Sequence, residues 1–232
     1  MTICIRNLAG AVIIAAMVMT AARAQAPVPD GPRYVITYLE VMPTAAADGA
    51  TLAREMRDAM RREAGNLRSE ALQRIGRTNQ FVILATWKDQ AALDAHAKAA
   101  PTAQLDDKLK SIANAPADER VTFPLAVGPL PASLGADTVL VVTHVDVIPT
   151  QREMTAALLK AHAEDGRREP GNLRFEALTQ TNRGNHFTVI EAWQSRDAAQ
   201  AHGMTAATRA FRDKVAPAIG ALYDERFYKA LD

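Results

Sequence analysis

Polar side chains set inside apolar stretches mark where this 232-residue chain could do chemistry, and they gather in its second half. His144 interrupts "VLVVTHVDV", Glu191 interrupts "FTVIEAW", and His162 continues the helical register of Met154 and Leu158. His186 opens the Glu191 stretch. A neutral imidazole near pH 7 is a natural proton acceptor, and a carboxyl beside it would complete an acid–base set. Each histidine taken singly also fits a plain structural role at a helix or strand edge. The coincidence of His144, His162 and Glu191 in one half is the stronger signal. Two histidines and a glutamate are residue types that metals accept. Nothing in their spacing demands a metal, so neither a metal site nor a cofactor is assigned.

The elements that must position these residues occur twice. "REAGNLRSEAL" at 62–72 returns as "REPGNLRFEAL" at 168–178, and a shift of 106 lays the chain on itself without a gap. Asn79 then falls on Asn185, Phe81 on Phe187, Trp87 on Trp193 and His96 on His202. This is an internal duplication, one domain per copy. Each copy opens with a strand-like run, "RYVITYLEVM" or "TVLVVTHVDVI". A helix follows. It is apolar at Leu52, Met56 and Met60 in the first copy, and a capping box of Thr150 and Glu153 opens it in the second. "GNLRSEALQ" with "NQFVILATW", and "GNLRFEALT" with "NHFTVIEAW", read as hairpins. A second helix starts at Asp89 or Ser195 as N-cap and breaks near Pro101 in the first copy. "ERVTFPL" and "ERFYKAL" close the copies as fourth strands.

The order β-α-β-β-α-β is ferredoxin-like. The hairpin strands are apolar on both parities, with Phe187, Val189 and Trp193 on one and Ile190 and Ala192 on the other. Both of their faces should be buried. The predicted fold class is therefore α+β: two ferredoxin-like repeats packed sheet to sheet as an intrachain dimeric α+β barrel, a monomer that carries its own partner. The expected boundaries are 33–125 for the first copy, 126–137 for a Pro/Gly-rich linker and 138–232 for the second copy.

The chain begins "MTICIRNLAGAVIIAAMVMTAARAQAP". Arg6, the apolar run Leu8 to Met19 and Ala22-Arg23-Ala24 read as a secretory signal peptide over 1–24, cut after Ala24, which implies a secreted or periplasmic protein. The apolar run is shorter than the about 20 residues that span a bilayer, so no stable membrane insertion is expected after cleavage. The sole cysteine, Cys4, lies in that segment. The mature chain then has no disulfide, thiolate nucleophile or thiolate metal site. Without Arg6 and Arg23 of that segment, the full chain's 27 basic and 26 acidic residues become 25 and 26, a near balance that excludes the basic footprint of a nucleic-acid binder. Aromatic residues, at 5 %, are too few for a base-stacking platform.

"EPGNLRFEAL…NHFTVIEAWQSRDAAQAH" and "EAGNLRSEAL…NQFVILATWKDQAALDAH" resemble the antibiotic biosynthesis monooxygenase domain, a branch of the dimeric α+β barrels. The resemblance covers both copies. It implies a cofactor-independent monooxygenase that takes a small aromatic substrate, a phenol or hydroquinone, and O2. It also leaves open a haem-degrading protein and a barrel that only binds a small apolar ligand. After Gly-Asn-Leu-Arg the family often carries tyrosine; here it is Ser69 or Phe175, and neither offers a phenol. The haem-degrading branch uses an asparagine on its first strand, and neither first strand has one.

Oxygenation without metal or flavin draws its electrons from the substrate: a base ionises the phenol, and an apolar, water-poor pocket protects the radical pair. On this reading the catalytic candidates are His144, His162, Glu191, Trp193 and His202, and Phe175 and Phe187 are the apolar substrate-binding walls. Their counterparts Tyr38, Met56, Ala85 and Ser69 make the first copy read as scaffold. The Trp87–His96 pair reads as architecture there, the indole plugging a strand end and the histidine pinning a helix. Arg68 with Glu70, and Arg174 with Glu176, are expected to pair across strands and not to meet substrate.

Overall fold

The computed structural model describes residues 30–129 and 134–231. The signal segment, its cleavage site and part of the expected linker lie outside the described residues. The first half runs β1 (Arg33–Glu40), α1 (Ala46–Arg61), β2 (Asn66–Arg74), β3 (Gln80–Trp87), α2 (Gln90–Ala97), α3 (Ala100–Ile112) and β4 (Asp118–Ala126). The second runs β5 (Val139–Asp146), α4 (Arg152–Gly166), β6 (Asn172–Gln180), β7 (His186–Trp193), α5 (Arg196–Gly203), α6 (Ala206–Val215) and β8 (Asp224–Ala230).

The eight strands close into one barrel in the order β1-β3-β2-β8-β5-β7-β6-β4. Each half contributes an antiparallel four-stranded sheet, and the two sheets join at both edges. β2 pairs with β8 through Leu72 opposite Ala230, and β4 pairs with β6 through Thr122 opposite Gln180. Closure leaves no sheet edge unpaired. The predicted fold class is the observed one.

Strand periodicity sorts the side chains into three cores. Ile36, Leu72, Val82 and Leu84 meet Leu140, Val142, Leu178 and Ile190 in the barrel lumen. Val35, Leu39, Ile83 and Trp87 face the first half's helices. Val141, Phe175, Phe187 and Trp193 face the second half's. The strands were apolar on both parities because helices cover one face and the opposite sheet covers the other.

The repeated Gly-Asn pair has a local cause. Gly65 and Gly171 hold φ of 90° and 83°, a region open to glycine. A Cβ at either would lie 2.6 or 2.9 Å from the Cβ of Ala92 or Ala198. The turn lets α2 and α5 pack tightly where β3 and β7 end.

Asp89 and Ser195 cap α2 and α5 as expected, accepting from Ala92 N at 2.8 Å and Ala198 N at 3.2 Å. The capping box of Thr150 and Glu153 does not form. A 3-10 turn over Pro149–Gln151 precedes α4, and Gln151 stands at the N-cap without a side-chain bond. Proline presets that first turn. The register of α4 also differs from the expected one: Thr155, Leu159, His162 and Gly166 are buried while Met154 is exposed. The second helix is broken in both halves, and Pro101 sits in the first turn of α3 and not at the break itself. Among the described residues no helix is long and apolar enough to cross a membrane.

Candidate functional site

β7 aims Glu191 and Trp193 at the helices of the second half. The Trp193 indole donates to Glu191 Oε2 at 2.7 Å. His202 stacks on Trp193 with centroids 4.7 Å apart. Its Nδ1 stands 2.8 Å from Glu169 Oε2, and its Nε2 stands 3.7 Å from Glu191 Oε2. His162 lies flat on Phe211 at 4.2 Å, edge-on to Phe175 at 5.2 Å, and 5.3 Å from His202. His162, Glu191, Trp193, His202 and Phe175 therefore form one cluster, and Phe187 belongs to the same apolar core. Burial pushes the Glu191 carboxyl up to about 8, against the bond from Trp193 that favours its ionised form. Burial, then His202 and Arg212, push His162 down to about 3.

The cluster is filled. A Cβ on Gly166 would lie 2.4 Å from the Phe175 ring, so glycine there is what admits the aromatic. Arg212 bonds Glu225 at 2.9 Å.

His144 is not part of this cluster. It points into the lumen, where Tyr38 Oη lies 2.7 Å from its Nε2 and Thr188 Oγ1 lies 3.2 Å from its Nδ1. Side chains alternate along a strand. His144 sits opposite Thr188, and Glu191, three residues further on, faces the other way. The expected grouping of His144 with His162 and Glu191 is corrected on this ground. His186 stands 3.1 Å from Asp146. Arg68 bonds Glu70 at 2.6 Å and Arg174 bonds Glu176 at 2.6 Å, each along its own strand, and Arg174 also reaches Glu70 of the other half at 2.6 Å. These four pair as expected, though not across neighbouring strands.

Among the described residues a large open space lies in the half that the sequence assigned to scaffold. A cavity of about 560 Å³ separates β1 and β4 from α1, α2 and α3. Leu39, Met56, Met60, Leu93, Leu105 and Leu109 give it an apolar wall, and Thr37, His96, Thr102 and Glu119 give it polar points. The matched positions differ in its lining. Met60 stands where the second half has Gly166, and Leu105 stands where it has Phe211; Ser69, opposite Phe175, lies outside the lining. The ring that fills the second half is missing, and Ser69 turns to Asn66 at 2.9 Å instead.

His96 repeats the geometry of His202. It stacks on Trp87 at 4.6 Å, and its Nδ1 lies 2.8 Å from Glu63 Oε1. Ala85 stands where the second half has Glu191. His96 lines the cavity, and Nε2 is the ring nitrogen that Glu63 does not engage. Glu119 also lacks its counterpart's partner: Asp106 stands where the second half has Arg212. Burial raises the Glu119 carboxyl, with His96 nearby pulling the other way. Sequence reasoning took His96 for architecture and missed Glu119 and the Met60/Gly166 exchange. The signal was present in side-chain volume and charge at matched positions, since Ser69-to-Phe175 is compensated by Met60-to-Gly166.

Among the described residues no group of three or more His, Asp or Glu side chains is placed to hold a metal ion. A tetrapyrrole fits the cavity poorly. Its two propionates would face Asp94, Asp106 and Glu119, with Lys110 the one cation in the lining.

The sequence profile described as "Antibiotic biosynthesis monooxygenase" matches residues 32–104 and 138–214. A Bacillus subtilis (strain 168) protein described as "Putative monooxygenase YcnE" is 31% identical over 81 residues, which span 35% of this chain and 85% of that protein. The crystal structure of a "Putative monooxygenase" of Fusobacterium nucleatum superposes with a TM-score of 0.78 at 17% identity, covering 88% of this chain and 94% of that one. A "putative monooxygenase" of Lactobacillus acidophilus NCFM gives 0.70 at 15% identity, covering 88% and 95%. These two structures share the fold across both halves.

Proposed function

The chain belongs to the antibiotic biosynthesis monooxygenase family, and we propose that it oxidises a small, electron-rich phenol or hydroquinone with O2 in the cavity of its first half, the substrate itself supplying the electrons. The observation that carries this reading is the unequal surroundings of two equivalent histidines. His202 Nε2 stands 3.7 Å from Glu191 Oε2, whereas His96 lines the cavity and Ala85 stands where that glutamate would be. A donor fixed on one ring nitrogen leaves the other as acceptor, and Glu63 fixes Nδ1 of His96.

The proposed sequence of steps balances. His96 Nε2 takes the phenolic proton. The electron-rich anion passes one electron to O2, and the carbon radical and superoxide combine as a peroxide anion on carbon. The imidazolium returns its proton to that peroxide. Loss of the one hydrogen on that carbon, as a proton, with the distal hydroxide leaves a carbonyl opposite the phenolic oxygen, which becomes a second carbonyl, and one water. The substrate gives up four electrons in all, and O2 takes all four. Glu119, whose carboxyl burial pushes above its ordinary range, stands in the same lining to hydrogen-bond the phenolic oxygen. The apolar wall keeps water from the radical pair.

Oxygen uptake by metal-stripped protein given a naphthol or an anthrone-type phenol tests the reading. Uptake is expected, and His96→Ala should abolish most of it. Binding of the phenol without uptake would sink the oxygenase reading in favour of a ligand-binding barrel. Export completes the proposal: cleavage after Ala24 makes Gln25 the mature N-terminus. Mass spectrometry of protein from the native cell envelope should find it, and an intact Met1 would reject it.

A further inference from the structure

Tyr38 and His144 occupy equivalent positions, 106 residues apart, and meet where the two halves face each other in the lumen. The oxygenation steps use neither. Tyr38 Oη lies 2.7 Å from His144 Nε2. Burial, more than any neighbouring charge, raises the phenol above its usual range and lowers the imidazole to about 4. The phenol therefore donates and Nε2 accepts, and the ring proton sits on Nδ1, beside Thr188. Two equivalent arginines, Arg120 and Arg226, each stand 5.3 Å from the centre of the Tyr38 ring. Each is tied to its own carboxylate, Asp118 or Asp224. Tyr38 is flanked along β1 by Thr37 and Leu39, which line the first-half cavity from the opposite face of the same strand.

We propose that Tyr38 and His144 are a proton-coupled redox pair: a one-electron oxidant takes an electron from the Tyr38 phenol while the phenolic proton crosses to His144 Nε2. Electron loss alone would leave a buried phenol radical cation. That species is a far stronger acid than imidazolium. The proton therefore crosses even to an imidazole that burial has made a weak base. The products are a neutral tyrosyl radical and an imidazolium, and one electron has gone to the oxidant. Resting on the oxygenase reading, that oxidant is a substrate aryloxyl or peroxyl radical, which becomes the corresponding anion. A hydroquinone-class reductant then returns the electron, and the proton moves back to Tyr38. The pair thereby takes up an oxidising equivalent that escapes the cavity.

The test uses the full mature chain without any phenolic substrate, so it stands or falls apart from oxygen uptake. A photo-oxidised ruthenium polypyridyl complex supplies the hole, and electron paramagnetic resonance reads the radical. A tyrosyl signal is expected in the unaltered protein and none in Tyr38→Phe. In His144→Phe it should be about tenfold weaker, a barrier change of one decade. His144→Gln keeps a hydrogen-bond acceptor without the base, and it should show the same loss with melting temperature unchanged. A signal that survives Tyr38→Phe belongs to Tyr34, Tyr223 or Tyr228 and overturns the proposal. So does an equal signal with and without the imidazole, or no signal in the unaltered protein.

Discussion

Between β1 and β4 and its helices the first half keeps a cavity of about 560 Å³; between β6 and α4 the second half keeps the Phe175 ring. The backbone that frames the two places is the same, down to the positive-φ glycine and the histidine stacked on tryptophan. The difference comes from three exchanges. Phe175 with Gly166, and Phe211, pack rings where the first half has Ser69 with Met60, and Leu105. Glu191 stands beside His202 where the first half has Ala85. Arg212 bonds Glu225, where the first half sets Asp106 against Glu119. Polar residues in an apolar element thus signal two opposite things. Where polar groups answer one another they close a core, and where one lacks its answer it faces a ligand. The second half has more titratable groups and less room for chemistry.

The largest expected effect separates the two histidines. Their stacking and their carboxylate bonds match, so His96→Ala and His202→Ala should destabilise by similar amounts. Turnover should fall about 10²- to 10⁴-fold for His96→Ala, the range of a lost general base, and for His202→Ala only as far as the folded fraction falls. Steady-state oxygen uptake beside thermal melts reads both. Equal turnover losses at equal stability would break the comparison.

Next is the exchange of volume. Phe175→Ser removes the filling ring, and a buried Phe-to-small change costs about 3–5 kcal/mol. Urea melts should show that loss. Calorimetry with a naphthol should then report two bound molecules per chain in place of one. The reverse change, Leu105→Phe, puts the second half's ring into the cavity lining and should abolish binding at little cost in stability. If it leaves binding intact, the first-half cavity is not the ligand site.

Much of this was legible in the sequence. The 106-residue shift, the double-parity strands and the Asp89 and Ser195 caps led to the barrel without further help. Two kinds of error remained. One was periodic: His144 and Glu191 lie on opposite faces of the second sheet, and α4 is rotated so that Thr155 and not Met154 is buried, because Pro149 moves the helix start. The other was compensatory. Whether a Phe fills space or walls it depends on a residue nine positions earlier, and no single position carries that information. Reading the halves against each other for volume, and not only for identity, would have paired Gly166 with Phe175.

A smaller effect sharpens the electrostatic side. Burial raises the Glu191 pKa from its model-compound value of 4.5 to about 8. The folded state therefore binds a proton that the unfolded chain releases. The stability it contributes is complete below about 4.5 and falls as pH rises toward about 8, at roughly 1.4 kcal/mol per pH unit. His162 runs the other way: its stability is present above 6.5 and is lost as pH falls toward about 3. Neither group has a titrating counterpart, since Ala85 and Met56 hold those positions. The two tryptophans, one per half, make this separable. With Trp87→Phe, the remaining Trp193 donates to Glu191 and its fluorescence should shift with a midpoint near 8. With Trp193→Phe, or with Glu191→Gln added to Trp87→Phe, that transition should vanish. A transition near 8 in the Trp193→Phe chain would assign it to the wrong half.

The smallest effect tests what the halves share. Asp89 and Ser195 each accept one backbone N–H at the start of the helix that carries the critical histidine. Loss of such a cap typically costs about 1 kcal/mol. Asp89 adds a negative charge at a helix N-terminus, worth a further few tenths at low salt. Asp89→Ala should therefore cost slightly more than Ser195→Ala in urea melts at low ionic strength, and the gap should close as salt screens the charge. The caps share no partner, so the double change should cost the sum of the two. A Ser195→Ala cost near zero beside a normal Asp89→Ala cost would mean that the filled core already holds α5 in place. The filling would then have relieved the second half of a cap that the open half still needs, and the likeness of the two frames would be one of shape and not of energy.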